Sequence, residues 1–275
     1  MNSKERALTA QDTLEILKRG YYHNSRGERI DIAQQQTAAE ENTRLYRPEE
    51  LLELIESPED GQAAYETACV VNDLTTLDSV RNEYPNDHHL LCLNYASTKN
   101  PGGGFLKGAR AQEESIARAS GLYPCQLKAE NYYKSNRRNR SCLYTHHMIY
   151  TPSVPVIKKE QGELMDQPVF PSIITAPAVN AGAVHRNEPG NVYKIEPVMR
   201  QRIDMLLALC RKHGHKTLIL GAWGCGVFRN EPADIARLFK DLLFGKYNNQ
   251  FERVVFSVYS RNERFILPFR EHFVA

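Results

Sequence analysis

Glu113 and Glu114 stand side by side in Gln112-Glu113-Glu114, separated by seven residues from the run Gly102-Gly103-Gly104. On a helix, adjacent carboxylates point about 100° apart, so they cannot flank one bond as the paired acids of ordinary glycosidases do. A division of labour suits them better. One positions a sugar hydroxyl while the other transfers a proton, its pKa raised by burial near its neighbour's charge. The three glycines permit positive φ and close approach of a ligand, so bare amides could face phosphate oxygens. The stretch from Asn94 to Glu114 thus reads as an anion cradle beside an acid catalyst. The plainer readings are a flexible turn and a solvated, acidic helix start.

A second glycine-rich turn strengthens the first. Leu220-Gly221-Ala222-Trp223-Gly224-Cys225-Gly226-Val227-Phe228-Arg229-Asn230-Glu231-Pro232 leaves an apolar run, crosses small residues and enters a helix announced by Pro232. Backbone amides and a helix N-terminus would point the same way. Two such turns suit a ligand with two phosphates, gripped from both sides. Alternatively, Gly224 and Gly226 only ease a tight turn around Trp223, the chain's one tryptophan. The glycine spacing does not match the dinucleotide fingerprint, and no Gly-Lys-Ser/Thr ending makes a nucleotide triphosphatase loop.

Other chemistry-bearing residues are less committed. Lys128, Lys134, Arg137, Arg138 and Arg140 lie beside Tyr132 and Tyr133, a basic segment able to meet a polyanion, although a solvated loop is the simpler expectation. His88-His89 and His146-His147 begin expected strands and read as structural; no three-ligand metal set is expected, and no cofactor.

The elements that must position these residues alternate in type. Strands are expected at Ala68 to Val71, Leu90 to Tyr95, Met148 to Tyr150, Ser172 to Ala176, Thr217 to Leu220 and Val254 to Val258. Met199, Ile203, Leu206, Leu207 and Cys210 form one helical apolar stripe; Ile235, Leu238, Phe239, Leu242 and Leu243 form another. This alternation means α/β, a sheet covered by helices, with ligands beyond the carboxyl ends of strands. Four loops fall there: Asn72 to Thr76, Ala96 to Glu114, Pro177 to Val184 and Gly221 to Asn230. From Thr9 to about Gly61 the chain is polar and helical in character, with Pro48-Glu49-Glu50 as a start signal. Residues 1–66 therefore read as an N-terminal helical accessory segment packed on a core of residues 67–275, in one structural unit.

Composition narrows the class. The 275 residues are 41% hydrophobic and 25% charged, ordinary for a soluble globular protein. A net charge of +2 leaves any attraction to a polyanion to a local patch. The six cysteines are scattered, which fits a reducing cytoplasm and not structural zinc. No apolar signal core follows Met1, and no window nears the roughly 18 apolar residues of a membrane helix. A soluble, cytoplasmic monomer with no membrane or sequence-specific nucleic-acid role is expected.

The triple glycine followed by Gln112-Glu113-Glu114 resembles the signature of the poly(ADP-ribose) glycohydrolases, in particular their bacterial-type branch with its macrodomain fold. Val71-Asn72 with Thr75-Thr76-Leu77, the segment Ile149 to Val156, Pro177 to Ala183 and Gly221 to Asn230 extend the resemblance over most of the chain. It implies a macrodomain-like mixed sheet flanked by helices. It implies hydrolysis of the terminal ribose–ribose bond of poly(ADP-ribose), releasing ADP-ribose, and so the reversal of ADP-ribosylation in a DNA damage response. By resemblance Glu114 is the acid that protonates the departing oxygen and then activates water, Glu113 holds ribose hydroxyls and Gln112 fixes the loop. Asn94, Asn100, Gly102, Gly103 and Gly104 would form the first binding loop, and Ala178, Asn180 and Gly182 the third. Gly224, Cys225, Gly226 and Val227 would offer backbone to the diphosphate, with Phe228 against the distal ribose. Adenine would lie near the sheet's edge between Asn72-Asp73 and the chain after the last strand, where Tyr259 is the stacking candidate; Val258-Tyr259-Ser260-Arg261 departs from the pattern in lacking the aspartate expected after that strand. The rival readings are a macrodomain that binds ADP-ribose without hydrolysis and an enzyme for mono-ADP-ribose on a protein or nucleic acid.

Overall fold

The computed structural model describes residues 1–56 and 65–274. Its centre is a seven-stranded sheet in the order Arg44–Tyr46, Met148–Thr151, Ser172–Ala176, Leu91–Tyr95, Thr217–Leu220, Arg253–Ser257, Ala68–Asn72. The last five run parallel. Met148–Thr151 pairs antiparallel with Ser172–Ala176, and Arg44–Tyr46 antiparallel with Met148–Thr151. Each expected strand is present, displaced by at most a residue at an end. The sheet is mixed and covered by helices, as expected.

Alternation within strands explains the two layers. Leu91, Leu93, Leu218, Leu220, Val254 and Phe256 join one core with Met199, Ile203, Leu206, Ile235, Leu238 and Phe239. Cys92, Ile219 and Val255, the residues between them, join Leu77, Val80 and Ile116 on the other face. A strand buried on both faces reads as a continuous apolar run, which is why these were visible in the sequence. The two apolar stripes become the helices Ile195–Lys212 and Pro232–Leu243.

The N-terminal segment departs from the expectation of a purely helical accessory. It holds the helices Ser3–Arg19, Ala33–Glu41 and Pro48–Glu56, but also a hairpin, Tyr21–His23 with Arg29–Asp31, and the sheet's edge strand Arg44–Tyr46. That strand is too short for alternation to show. It is fixed by Tyr46, buried, whose hydroxyl lies 2.9 Å from His213 Nε2, with Arg44 over its ring. Residues 57–64 of the proposed 1–66 segment, including Gly61, lie outside the described residues.

The Ser3–Arg19 helix starts at a capping box between Asn2 and Glu5 and packs on residues 105–107 and on the helix Gln112–Ala119. Arg6 Nε donates to Gly108 O at 2.7 Å, and Ala10 meets Phe105 and Ala117. Lys158, 1% exposed, donates to Thr9 O, Asp12 and Thr13 Oγ1 of the same helix. A buried ammonium is tolerated only with such partners. The basic segment Lys128 to Arg140 is not a solvated loop: Glu130–Arg138 is a helix that buries Tyr132 and Tyr133 against Ala96 and Ile149. Its tyrosines supply the apolar face and its cations the wet one. Among the described residues no helix is long and apolar enough to cross a membrane.

Candidate active site

The five parallel strands all end at one edge, and their outgoing loops enclose a cavity of ≈ 990 Å³. Ligands in open α/β sheets bind there because only at those ends do loops and helix N-termini converge. Thr75 to Leu77, Tyr259 and Phe265 line one end; Ser97 to Asn100 and Tyr144 line the other, with Glu113 and Glu114 also in the wall.

The helix Gln112–Ala119 sets both glutamates in its first turn. Gln112 clamps this helix to the sheet: its Nε2 donates to Leu93 O at 2.6 Å and its Oε1 accepts the Tyr95 amide at 2.8 Å. Glu113 turns inward and is 3% exposed. Its Oε1 accepts from Gln126 Nε2 at 2.9 Å and Asn94 Nδ2 at 3.2 Å, and its Oε2 from the Ser97 amide at 2.6 Å. Burial pushes the Glu113 carboxyl up to about 8; the three donors work against that, and the charge of Glu114 adds to it. Glu114 turns to the cavity with a lighter hold. Its Oε1 accepts the Gly104 amide at 3.0 Å, and its Oε2 has no partner among the described residues.

The triple glycine does not offer an anion cradle to phosphate. Its three amides are engaged: Gly102 with Gln126 Oε1 at 2.7 Å, Gly103 with Asn100 O at 3.0 Å and Gly104 with Glu114. The run is instead a seat for the chain's own carboxylate. Gly103 has φ +59°, and a Cβ there would collide with Glu114 Oε1. Only glycine lets the backbone pass that close.

The second turn is built the other way. Gly224, at φ +75°, packs so tightly that a Cβ would collide with Ala178, and its carbonyl accepts from Asn230. Asn230 Nδ2 also donates to Val179 O at 2.7 Å, tying the turn to the Pro177 to Val184 loop. The amides of Gly224, Gly226, Val227 and Phe228 have no intramolecular partner among the described residues. Free amides near the start of a helix are suited to an anion. Of the two glycine-rich turns, only this one leaves amides free for a ligand.

The cavity brings together Asn100, Gln112, Glu113, Glu114, Ala178, Gly224, Gly226, Val227, Phe228 and Tyr259 of the expected residues. It does not include Asn94, Gly102, Gly103, Gly104, Asn180, Gly182 or Cys225. Asn94 lies beneath Glu113, fully buried. Asn180 caps the helix Ala181–Asn187, and the Gly182 amide holds Phe228 O at 2.9 Å. Cys225 is buried, its thiol raised by desolvation and its amide bonded to Ala222 O. These residues support the walls. Sequence reasoning missed Gln126, which braces Gly102 and Glu113 together; its only signal was a glutamine in the apolar run Leu122 to Leu127. It also missed Glu160, a cavity carboxylate bonded to Ser115 Oγ at 2.8 Å and raised by burial. Among the described residues no three His, Cys, Asp or Glu side chains gather as a metal site.

Comparison with known proteins accords with this geometry. Residues 10–159 match the family described as microbial-type PARG, catalytic domain. The crystal structure of poly(ADP-ribose) glycohydrolase from Thermomonospora curvata superposes with a TM-score of 0.93 at 40% identity, over 98% of this chain and 99% of that one. The same enzyme bound to the inhibitor ADP-HPD gives 0.90 at 40% identity, over 98% and 99%. Poly(ADP-ribose) glycohydrolase from Deinococcus radiodurans in complex with ADP-ribose gives 0.83 at 42% identity, over 87% and 97%. No curated protein matches. With the Gly102-Gly103-Gly104 seat, the Gln112-Glu113-Glu114 helix start and near-complete coverage by solved relatives, the chain belongs to the microbial-type poly(ADP-ribose) glycohydrolase family.

Proposed function

We propose that this protein hydrolyses the terminal ribose–ribose bond of poly(ADP-ribose) and releases ADP-ribose, with Glu114 as the acid and base. The observation that carries this is the unpartnered Glu114 Oε2 in the wall of a cavity that also holds four free amides. Those amides bind the diphosphate of the terminal unit, Phe228 packs on its distal ribose and Tyr259 stacks on its adenine. Remote anchoring of this kind orients the bond to be broken.

Burial raises the Glu113 carboxyl to about 8. A ribose hydroxyl donating to Glu113 favours its charged form. Glu114, as the acid, gives a proton to the departing ribose oxygen as the glycosidic bond breaks through an oxocarbenium-like transition state. The Glu114 carboxylate next takes a proton from water, whose oxygen bonds to the anomeric carbon, and the acid is restored. Glu113, Asn94 and Gln126 act as the fixed support of this exchange. A reducing cytoplasm is the compartment we assign, on six unpaired thiols.

Free ADP-ribose, measured by chromatography, tests this on poly(ADP-ribose) and on a mono-ADP-ribosylated protein. We expect release from polymer by wild type, and none from Glu114→Ala, which still binds ADP-ribose. Intact binding with no release by wild type would make this a reader, and release mainly from the mono-modified protein would move the activity to the other bond.

A further inference from the structure

The cations of the Lys128 to Arg140 region have no part in the site described so far. Lys128 pairs with Glu40 and Lys134 with Glu130. Lys99, Arg137, Arg138 and Arg140 are exposed and make no ion pair among the described residues. Arg137 Nη1 donates to Lys99 O at 2.6 Å, and Lys99 itself lines the cavity next to Asn100. Glu188, the carboxylate bonded to the adjoining Ser141-Cys142, is held by Ser141 Oγ, the Cys142 amide and Asn191. These cations make a strip that starts at Lys99 in the cavity wall, and the partners of Glu188 are all neutral, so one carboxylate charge stays beside the strip at Ser141, in a chain whose net charge is only +2.

Topology fixes the end of the cavity to which this strip belongs. Thr75 to Leu77 and Tyr259 follow the strands Ala68–Asn72 and Arg253–Ser257, at one side of the sheet, where the Val258 amide meets Asn72 O. The Glu130–Arg138 helix packs through Tyr132 and Tyr133 on Ile149 and Leu45, at the opposite side. A terminal ADP-ribose with its base at Tyr259 and its distal ribose at Glu114 directs the rest of the polymer toward that side. Every further unit carries a diphosphate.

We propose that Lys99, Arg137 and Arg140, with Arg138 beside them, form a second diphosphate-binding rim that holds the penultimate unit of the polymer. The rim rests on the glycohydrolase reading above and explains how a polymer end is chosen over a single ADP-ribose. Holding the chain beyond the bond to be cleaved orients the leaving oxygen at Glu114. Contacts of this kind between cations and phosphates release counterions and weaken as salt rises.

The test compares polymer KM with the Kd of free ADP-ribose across a salt series, in wild type and in the double variant Arg137→Gln/Arg140→Gln. We expect the wild-type polymer KM to rise with salt more steeply than the ADP-ribose Kd. The double variant should raise polymer KM about five- to tenfold and flatten its salt slope by roughly one unit. Its ADP-ribose Kd should move less than its polymer KM. Arg137→Lys/Arg140→Lys, which keeps the charge, should restore most of the loss. An unchanged polymer KM and slope would overturn the rim. So would KM and Kd rising together, which would mean that the Lys99 loop had moved. Competition by a single-stranded oligonucleotide as strong as that of polymer would make the strip a general polyanion surface instead. Failure of wild type to hydrolyse any polymer would sink the parent reading and is told apart by that result alone.

Discussion

The two glycine-rich turns have similar composition and opposite uses. Gly102, Gly103 and Gly104 give every amide to the protein itself, to Gln126, Asn100 and Glu114, and so seat one of its own carboxylates. In the second turn the amides of Gly224, Gly226, Val227 and Phe228 remain free, while the fold's grip comes through carbonyls and Asn230. Small residues let a backbone come close to something; whether that is the protein's own carboxylate or a ligand depends on where the donors go.

Substitutions at single glycines separate the two uses. Gly103→Ala has the largest expected effect, because a methyl at φ +59° displaces Glu114: turnover on polymer should fall about a hundredfold, with ADP-ribose binding kept. Equal losses of turnover and binding would erase the distinction between the turns. Gly224→Ala should do the reverse, weakening ADP-ribose binding about tenfold, roughly 1.4 kcal/mol, because φ +75° and the contact with Ala178 both forbid the methyl. Calorimetric titration with ADP-ribose reads it.

A smaller effect concerns pH. The Glu113 carboxyl, raised from 4.5 to about 8, keeps its proton in the native state after the unfolded chain has lost it. The native state then binds more protons than the unfolded one, so the contribution of Glu113 to stability is present below about pH 4.5 and is lost as pH rises to about 8. The ligand-free melting temperature should decline over that window, and Glu113→Gln should flatten the decline; an unaltered profile in the variant would remove Glu113 as its source.

The sequence was most legible where burial is two-sided. Leu91, Leu93, Leu218 and Leu220 could be assigned to strands because each lies in an unbroken apolar run. Arg44-Leu45-Tyr46 could not, since three residues carry no period and its place at the sheet edge comes from a contact with His213, 167 residues away. At the site, the residue types were legible and the direction of their bonds was not. Gly102 to Gly104 read as a place of close approach, but that Gln126 would take the Gly102 amide depends on a residue 13 positions beyond Glu113, on the helix Leu122–Lys128. Asn94 looked like part of a loop, although its position in Leu91-Cys92-Leu93-Asn94-Tyr95 already set it inside the core, where an amide must serve a buried partner.

The buried Lys158 has a consequence for the order of events during synthesis. Its ammonium is satisfied by Thr9, Asp12 and Thr13, residues that leave the ribosome well over a hundred positions earlier. The Ser3–Arg19 helix therefore completes its buried polar contacts only when the strand Val156–Lys158 emerges. Contacts of such long sequence separation close late. Amide exchange on stalled nascent chains would show it: protection of Ser3–Arg19 in chains that end before Lys158 would contradict late docking.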